Sequence, residues 1–334
     1  MDRYLVTGAA GFIASVVAEM LLQQGAEVVG IDNMNDAYDP RIKEYRLGRL
    51  QEHPGFSFLK LDVSDRGLLA DKRLRGKDFS AVINLAARAG VRDSLEDPWV
   101  YLDTNAVGTL NLLEFCRREG IGKFLLASTS SIYGQNAPTP TPESADSSQP
   151  LQAYAASKKS AEVLAYAYHY LHGIDVSVVR YFTVYGPAGR PDMVMFRFTK
   201  WIAEDMPVHL NGDGEQSRGF TYVDDIARGT IAALRPVGYE IFNLGGHEVI
   251  TINQLIGILE RFLKKKAQVE YHPRHPADML INQADIKKAQ DSLGWEPRIN
   301  LEEGIMKLVS WYLNERSWVK DIRTNSPGLD LPRK

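Results

Sequence analysis

The most constraining feature of this chain is its opening stretch. A short apolar run, Tyr4–Thr7, leads into Gly8-Ala9-Ala10-Gly11, and Phe12 to Gln24 then repeats with helical period before stopping at Gly25. Gly8 permits a tight turn, and Gly11 lets the backbone approach a pyrophosphate held at the positive end of the helix. Ala14 takes the third position of this fingerprint and still allows the helix to pack closely on a sheet. Glu27–Ile31 reads as a second strand. Asp32 ends it, roughly 20 residues beyond the turn, where a carboxylate can accept hydrogen bonds from both hydroxyls of an adenosine ribose. A carboxylate there repels a 2′-phosphate, so NAD is expected rather than NADP. Asp62-Val63, after a third strand, is placed to meet the adenine edge.

The alternation continues. Phe56–Leu61, Ala81–Leu85, Phe124–Ser128 and Val176–Arg180 are further apolar strands, with helices between them that include Thr109–Arg118 and Ala155–His172. Apolar strands alternating with helices make a parallel sheet covered on both faces. The expected fold is α/β, a doubly wound parallel Rossmann sheet with a smaller C-terminal α/β substrate domain. After about Tyr181, Gly186-Pro187, Arg190-Pro191 and Asn211-Gly212-Asp213-Gly214 break the rhythm. Phe242-Asn243-Leu244 reads as one more strand of the first sheet, and Ile252–Lys264 and Leu301–Leu313 as amphipathic helices. The predicted division is a cofactor domain over 1–180 and about 222–250, a smaller second domain over 181–221 and 251–320, and a loosely held tail over 321–334.

Composition excludes several function classes. Lys+Arg is 39 against Asp+Glu 42, a net charge of -3, so nothing calls for nucleic acid or an acidic membrane as partner. The single cysteine, Cys116, cannot form an intrachain disulfide and fits a reducing, cytoplasmic setting. No stretch approaches the roughly 18 apolar residues of a membrane span. His209, His247 and His272 show no metal-ligand spacing with acidic partners, and no metal is expected.

Two further elements point to an enzyme. Tyr154-Ala155-Ala156-Ser157-Lys158 opens a helix and sets a phenol and an ammonium one turn apart on one face. A nearby Lys⁺ and an oxidised nicotinamide lower a phenol's pKa, so Tyr154 is the expected base. Ser128-Thr129-Ser130-Ser131 follows a strand, at the carboxyl edge of the sheet where ligands bind in open α/β folds.

In this combination the sequence resembles the extended short-chain dehydrogenase/reductase family, specifically its nucleotide-sugar epimerases and dehydratases. The resemblance runs from about Tyr4 to Leu313. It rests on Thr7–Ile13, Asp32, Asp62, Asn84–Ala87, Asn105-x-x-Gly108-Thr109, Thr129–Gly134, Tyr154 with Lys158, Arg180–Phe182, Tyr185–Pro187 and Arg218 to Asp225. It implies Tyr154 as base, Lys158 as its tuner and a ribose ligand, and Thr129 as a bridge from Tyr154 to the sugar. It also implies cofactor contacts at Phe12, Ile13, Asn33, Leu85, Ala86, Ala87 and Tyr181. Asn105 takes a structural or cofactor-side role, and Arg218 binds the nucleotide diphosphate. Relatives use the equivalents of helices Thr109–Arg118 and Ala155–His172 in a dimeric four-helix bundle. Here these helices carry Leu112, Phe115, Leu164, Tyr166, Tyr168 and Tyr170, which implies a homodimer.

Within the family, Phe182-Thr183-Val184-Tyr185-Gly186-Pro187 followed by Gly189-Arg190-Pro191-Asp192-Met193 resembles the UDP-glucuronate 4-epimerases. So do Asp32-Asn33-x-Asn35-Asp36-x-Tyr38-Asp39-Pro40, with Lys43 and Arg46 after it, and Ala89-Gly90-Val91-Arg92. A uronic acid carries a carboxylate on C5, for which an arginine and short hydroxyl donors are a natural receptor. Arg190 supplies the charge, or else it is a surface loop arginine beside Pro191. Thr183, Ser130 and Ser131 supply neutral donors. Arg92 reaches an anion or pairs with Asp93, Glu96 or Asp97. Arg274 and Asp278 are further nucleotide contacts implied by the resemblance. Ser130 and Ser131 stand where 4,6-dehydratases carry an Asp–Glu pair and where decarboxylases carry a Glu, which counts against both. The remaining alternatives are a UDP-glucose/UDP-galactose 4-epimerase and, outside enzymes, an NAD-binding regulatory protein.

Overall fold

The computed structural model describes residues 1–246, 248–273 and 281–324. The first six strands are β1 (Arg3–Thr7), β2 (Glu27–Asp32), β3 (Phe56–Lys60), β4 (Ala81–Asn84), β5 (Lys123–Thr129) and β6 (Asp175–Tyr181). Then come β7 (Thr183–Tyr185), β8 (Val208–Asn211), β9 (Ser217–Tyr222), β10 (Tyr239–Leu244), β11 (Val249–Thr251), β12 (Val269–His272) and β13 (Ile281–Asn282). Seven of them form one sheet in the order β10-β6-β5-β4-β1-β2-β3, parallel throughout. This is the doubly wound sheet read from the sequence, and the Phe242–Leu244 segment joins it as expected, beside β6.

Each face of the sheet is closed by helices. On one face, Val17 and Leu21 of helix Phe12–Gln23 cluster with Ile226 of helix Val223–Ala232 and Phe242 of β10. On the other, Leu112, Leu113 and Phe115 of helix Gly108–Glu119 cluster with Ala161 and Ala165 of helix Ala153–His172. A third cluster joins Phe196 and Trp201, Leu255, Ile305 and Tyr312 from helices Val194–Ala203, Ile252–Leu263 and Leu301–Asn314. In that part of the chain β9 pairs with β7, β11 and β13, while β8 pairs with β12. Among the described residues no helix is long and apolar enough to cross a membrane.

Two expectations need correction. Leu112 and Phe115 are not spare surface: both are fully buried under the sheet, because their helix turns its apolar stripe inward. The exposed large residues of helix Ala153–His172 are Val163, Tyr166, Tyr170 and Leu171. Nor is the tail loose where it is described. Ile322 is completely buried, Arg41 donates to the Asp321 carbonyl at 2.8 Å, and the Arg323 N–H donates to Asp39 at 3.3 Å.

Candidate active site

In a parallel sheet every strand ends on the same edge, so the residues that follow β1, β2, β4, β5 and β6 converge. They line a cleft of about 1460 Å³ between that edge and the smaller α/β part. Gly8, Gly11, Phe12 and Ile13 form its floor together with Asp32, Asn33, Asp62 and Val63. Leu85, Ala86, Ala87, Tyr181, Thr129, Tyr154 and Lys158 also line it, as do Arg92, Ser130, Ser131, Thr183, Arg190 and Arg218. Arg274 and Asp278 lie outside the described residues.

The glycine turn is held tightly. Gly8 has φ +68°, and a Cβ there would come within 2.8 Å of the Ala86 Cα. A Cβ on Gly11 would lie 2.7 Å from the Gly8 carbonyl oxygen. Helix Phe12–Gln23 starts at Gly11 with no side-chain cap, which leaves its first N–H groups to a ligand. Asp32 accepts from the Ala10 and Met34 N–H groups at 3.3 and 2.8 Å, which aims its carboxylate. Asn33 donates to Asp62 at 2.8 Å. Burial works against the charge on Asp62, but hydrogen bonds from Asn33 and Ser64 outweigh it and hold the carboxyl below its ordinary value. An uncapped helix start, an unblocked glycine cradle and a ribose-ready carboxylate fit a dinucleotide. One partner is new: the buried Lys43 ammonium sits 3.6 Å from Asp32. Helix Arg41–Gln51 delivers it.

The catalytic candidates meet on helix Ala153–His172 and at the end of β5. Thr129 caps the turn Ser130–Tyr133 by accepting from the Ser131 N–H at 3.2 Å, and its hydroxyl donates to Ser131 Oγ at 3.2 Å. Tyr154 packs edge-on against Tyr101, with ring centroids 6.1 Å apart. Burial pushes the Tyr154 phenol up, while a hydrogen bond with Thr129 and the charge of Arg190 pull it down. Burial depresses Lys158 itself to about 8, and the charge that opposes this is Glu162, one turn further along the helix. Glu162 is in turn fixed by the Arg180 guanidinium at 2.9 and 2.8 Å and by Ser128 at 2.6 Å.

Asn105 does not line the cleft, contrary to a direct cofactor contact. It is buried and clamps the loop after β4, accepting from the Arg88 N–H at 2.9 Å and donating to the Arg88 carbonyl at 3.0 Å. Its amide also donates to Ser157 Oγ at 2.9 Å, which ties that loop to the helix bearing Tyr154. Tyr181 lines the cleft with its ring, while its hydroxyl pairs with Thr230 at 2.8 Å.

Arg190, near enough to Tyr154 for its charge to act on the phenol, is no surface loop residue. Its side chain is 24% exposed and faces the cleft, paired with Asp192 through Nε at 3.1 Å and Nη2 at 2.5 Å. Arg92 also lines the cleft, beside the Asn211 amide, whose oxygen accepts from its guanidinium at 2.8 and 3.2 Å when that amide is turned to face it. His209 and His272, expected as structural or exposed residues with no metal-ligand spacing in the sequence, are brought together by the fold. Parallel pairing of β8 with β12 sets His209, Glu270 and His272 side by side, their ligand atoms within 4.8 Å of one another. His247 lies outside the described residues. Sequence reasoning also missed Glu162 and Asp192. Both were findable, four residues from Lys158 on a helix and two residues from Arg190 in a turn.

Residues 4–245 match the family model described as the NAD dependent epimerase/dehydratase family. A UDP-glucuronate 4-epimerase of Thermodesulfobacterium geofontis is 54% identical over 324 residues, 97% of this chain and 100% of that protein. The crystal structure of UDP-glucuronic acid 4-epimerase from Bacillus cereus, in complex with UDP-glucuronic acid and NAD, superposes with a TM-score of 0.87. The two are 35% identical, over 94% of this chain and 99% of that one. A UDP-glucose 4-epimerase from Thermotoga maritima, with UDP-glucose, gives a TM-score of 0.86 at 31% identity, over 94% of this chain and 99% of that one.

The Asp32–Lys43 pair gives a test of cofactor choice. Asp32→Ala removes the ribose acceptor and leaves the Lys43 ammonium without its carboxylate, which favours a 2′-phosphate. NAD affinity should fall by about tenfold or more, the worth of one charge-assisted contact, and the preference over NADP should shrink or reverse. Calorimetry on cofactor-stripped protein reads both. An unchanged NAD/NADP ratio would count against the ribose role.

Proposed function

Because the chain belongs to the NAD-dependent epimerase/dehydratase family, we propose that it inverts C4 of UDP-glucuronate to give UDP-galacturonate, through a 4-keto sugar, as a cytoplasmic homodimer. The observation that carries this reading is the cleft wall beside Tyr154. It combines an arginine that faces inward with the hydroxyls of Ser130, Ser131 and Thr183. A C5 carboxylate needs that combination of charge and short donors, whereas a neutral hexose does not.

NAD, when bound, would supply the redox chemistry, as a reversible hydride acceptor for C4. The residues that would hold it are the Gly8–Ile13 turn, Asp32 with Asn33, Asp62 with Val63, the Leu85–Ala87 segment, Tyr181, and Lys158 toward the nicotinamide ribose. The protein's own part is proton transfer and orientation. Tyr154 takes the proton of the C4 hydroxyl, with Thr129 aligning the two oxygens. Arg190 lowers the cost of a tyrosinate, since its charge already biases the phenol downward. Lys158 adds to this when protonated, and Glu162 keeps it protonated against its burial. After the keto sugar turns about its diphosphate link, Tyr154 returns the proton on the other face. Arg218, Arg274 and Asp278 hold the nucleotide end during that turn.

The intermediate is a β-keto acid, which loses CO₂ if the carboxylate reaches the cleaving geometry. Arg190 and the hydroxyls of Thr183, Ser130 and Ser131 restrain it. Water elimination lacks its acid/base pair, because serines stand in both places and a hydroxyl does not replace a carboxyl group at neutral pH. The homodimer rests on the exposed Val163, Tyr166, Tyr170 and Leu171 of one helix face, and a monomer mass by light scattering would remove it.

Arg190→Ala, assayed on UDP-glucuronate and UDP-glucose in parallel, tests the substrate. Loss of a charge-assisted contact of about 1.5–3 kcal/mol should weaken handling of the uronate by about tenfold to a hundredfold. UDP-glucose should suffer less, and traces of UDP-pentose and CO₂ should appear from the uronate. Equal loss on both sugars would mean that Arg190 serves only Tyr154. In the same assay Tyr154→Phe should lose about 10²–10⁴-fold on either sugar while still binding NAD; near-normal turnover would disprove the base.

A further inference from the structure

We propose that His209, Glu270 and His272 form a binding site for one divalent transition-metal ion of the zinc class, beside the cleft that His209 lines. The site is built by two strands. In β8 the alternation buries Val208 and Leu210, which turns His209 toward the cleft it lines. In β12, Glu270 and His272 are two residues apart and so share a face of that strand. The parallel register sets Glu270 opposite His209 and His272 opposite Asn211.

The distances match a shared ion. His209 Nδ1 lies 3.0 Å from His272 Nε2 and 3.3 Å from Glu270 Oε2. Ligand atoms held about 2.0–2.2 Å from one ion lie roughly 3.0–3.5 Å from each other. Two imidazole nitrogens and one carboxylate oxygen form a donor set that zinc accepts readily, with a coordination position left for water. Proton bookkeeping points the same way. With both rings neutral, a single proton at His209 Nδ1 or His272 Nε2 has to satisfy the lone pairs of the other nitrogen and of Glu270. An ion satisfies all three. The His209 ring is braced edge-on by Trp201, with centroids 5.5 Å apart, and the Gly212 N–H fixes the His272 carbonyl at 2.8 Å. The ligands therefore need little ordering on binding.

The test uses the full chain, stripped with a chelator and titrated with Zn²⁺ against a chromophoric competitor, then with Co²⁺ for its visible absorption. One ion per chain is expected, together with a Co²⁺ spectrum of mixed nitrogen and oxygen ligation. His209→Ala and His272→Ala should each weaken binding by more than the about 10–100-fold that loss of an outer partner costs. Glu270→Gln, on an exposed side chain, keeps the test alive if a histidine variant misfolds, and should weaken binding too. His172→Ala, exposed at the end of its helix, should change nothing. No uptake at micromolar Zn²⁺ would overturn the proposal. So would uptake that survives in the His209, His272 and Glu270 variants, or that is lost equally with His172.

Discussion

A line of buried hydrogen bonds sets the distance between the glycine turn and the helix that carries Tyr154. The Ala86 N–H donates to Thr7 Oγ1, Thr7 donates to Asn84, and the Asn84 amide donates to Thr109, at 3.0, 2.8 and 3.1 Å. Thr109 donates to the Asn105 carbonyl at 2.6 Å, Asn105 to Ser157 at 2.9 Å, and Ser157 to the Tyr154 carbonyl at 2.7 Å. All five side chains in this line are buried. A buried polar group left without a partner costs about 1–3 kcal/mol, so each link penalises a slip of its neighbours. Nonpolar packing would tolerate such slips more readily, because it has no direction. The glycine turn, the loop after β4 and the Tyr154 backbone are thereby registered against one another.

On this frame the charges are balanced rather than neutralised. Glu162 supports the proton on Lys158 but spends both of its oxygens on Arg180, so Lys158 stays depressed, near 8. Arg190 keeps its charge through Asp192 and extends its influence to Tyr154. The result is a phenol held protonated by burial with two cations poised to lower it. Such a balance suits the proton transfer proposed for Tyr154.

Much of this was legible in the sequence, because it depends on local order. The strand–turn–helix opening, Asp32 after β2, and the Tyr154–Lys158 spacing are set by neighbours in the chain, and the structure reproduces each of them. What escaped depends on pairing between distant segments. No spacing rule joins His209 to His272, because β8 and β12 meet only through parallel pairing across intervening helices. The inward face of Leu112 and Phe115 was misread because the apolar stripe of their helix does not itself say which neighbour covers it. Asn105 was left between a structural and a cofactor-side role because a motif fixes a residue's position but not the direction of its side chain. The burial of Ile322 depends on the Arg41–Asp39 corner, roughly 280 residues away.

The reaction begins and ends at C4 of a uronic acid, with the carboxylate kept and no bond opened at C5. Incubating UDP-glucuronate with the protein in D₂O and reading the products by NMR tests it most directly. UDP-galacturonate that keeps its original hydrogen at both C4 and C5, with no released CO₂, is the expected product. Deuterium at C5, a UDP-pentose as the main product, or no conversion of the uronate alongside ready conversion of UDP-glucose would contradict it.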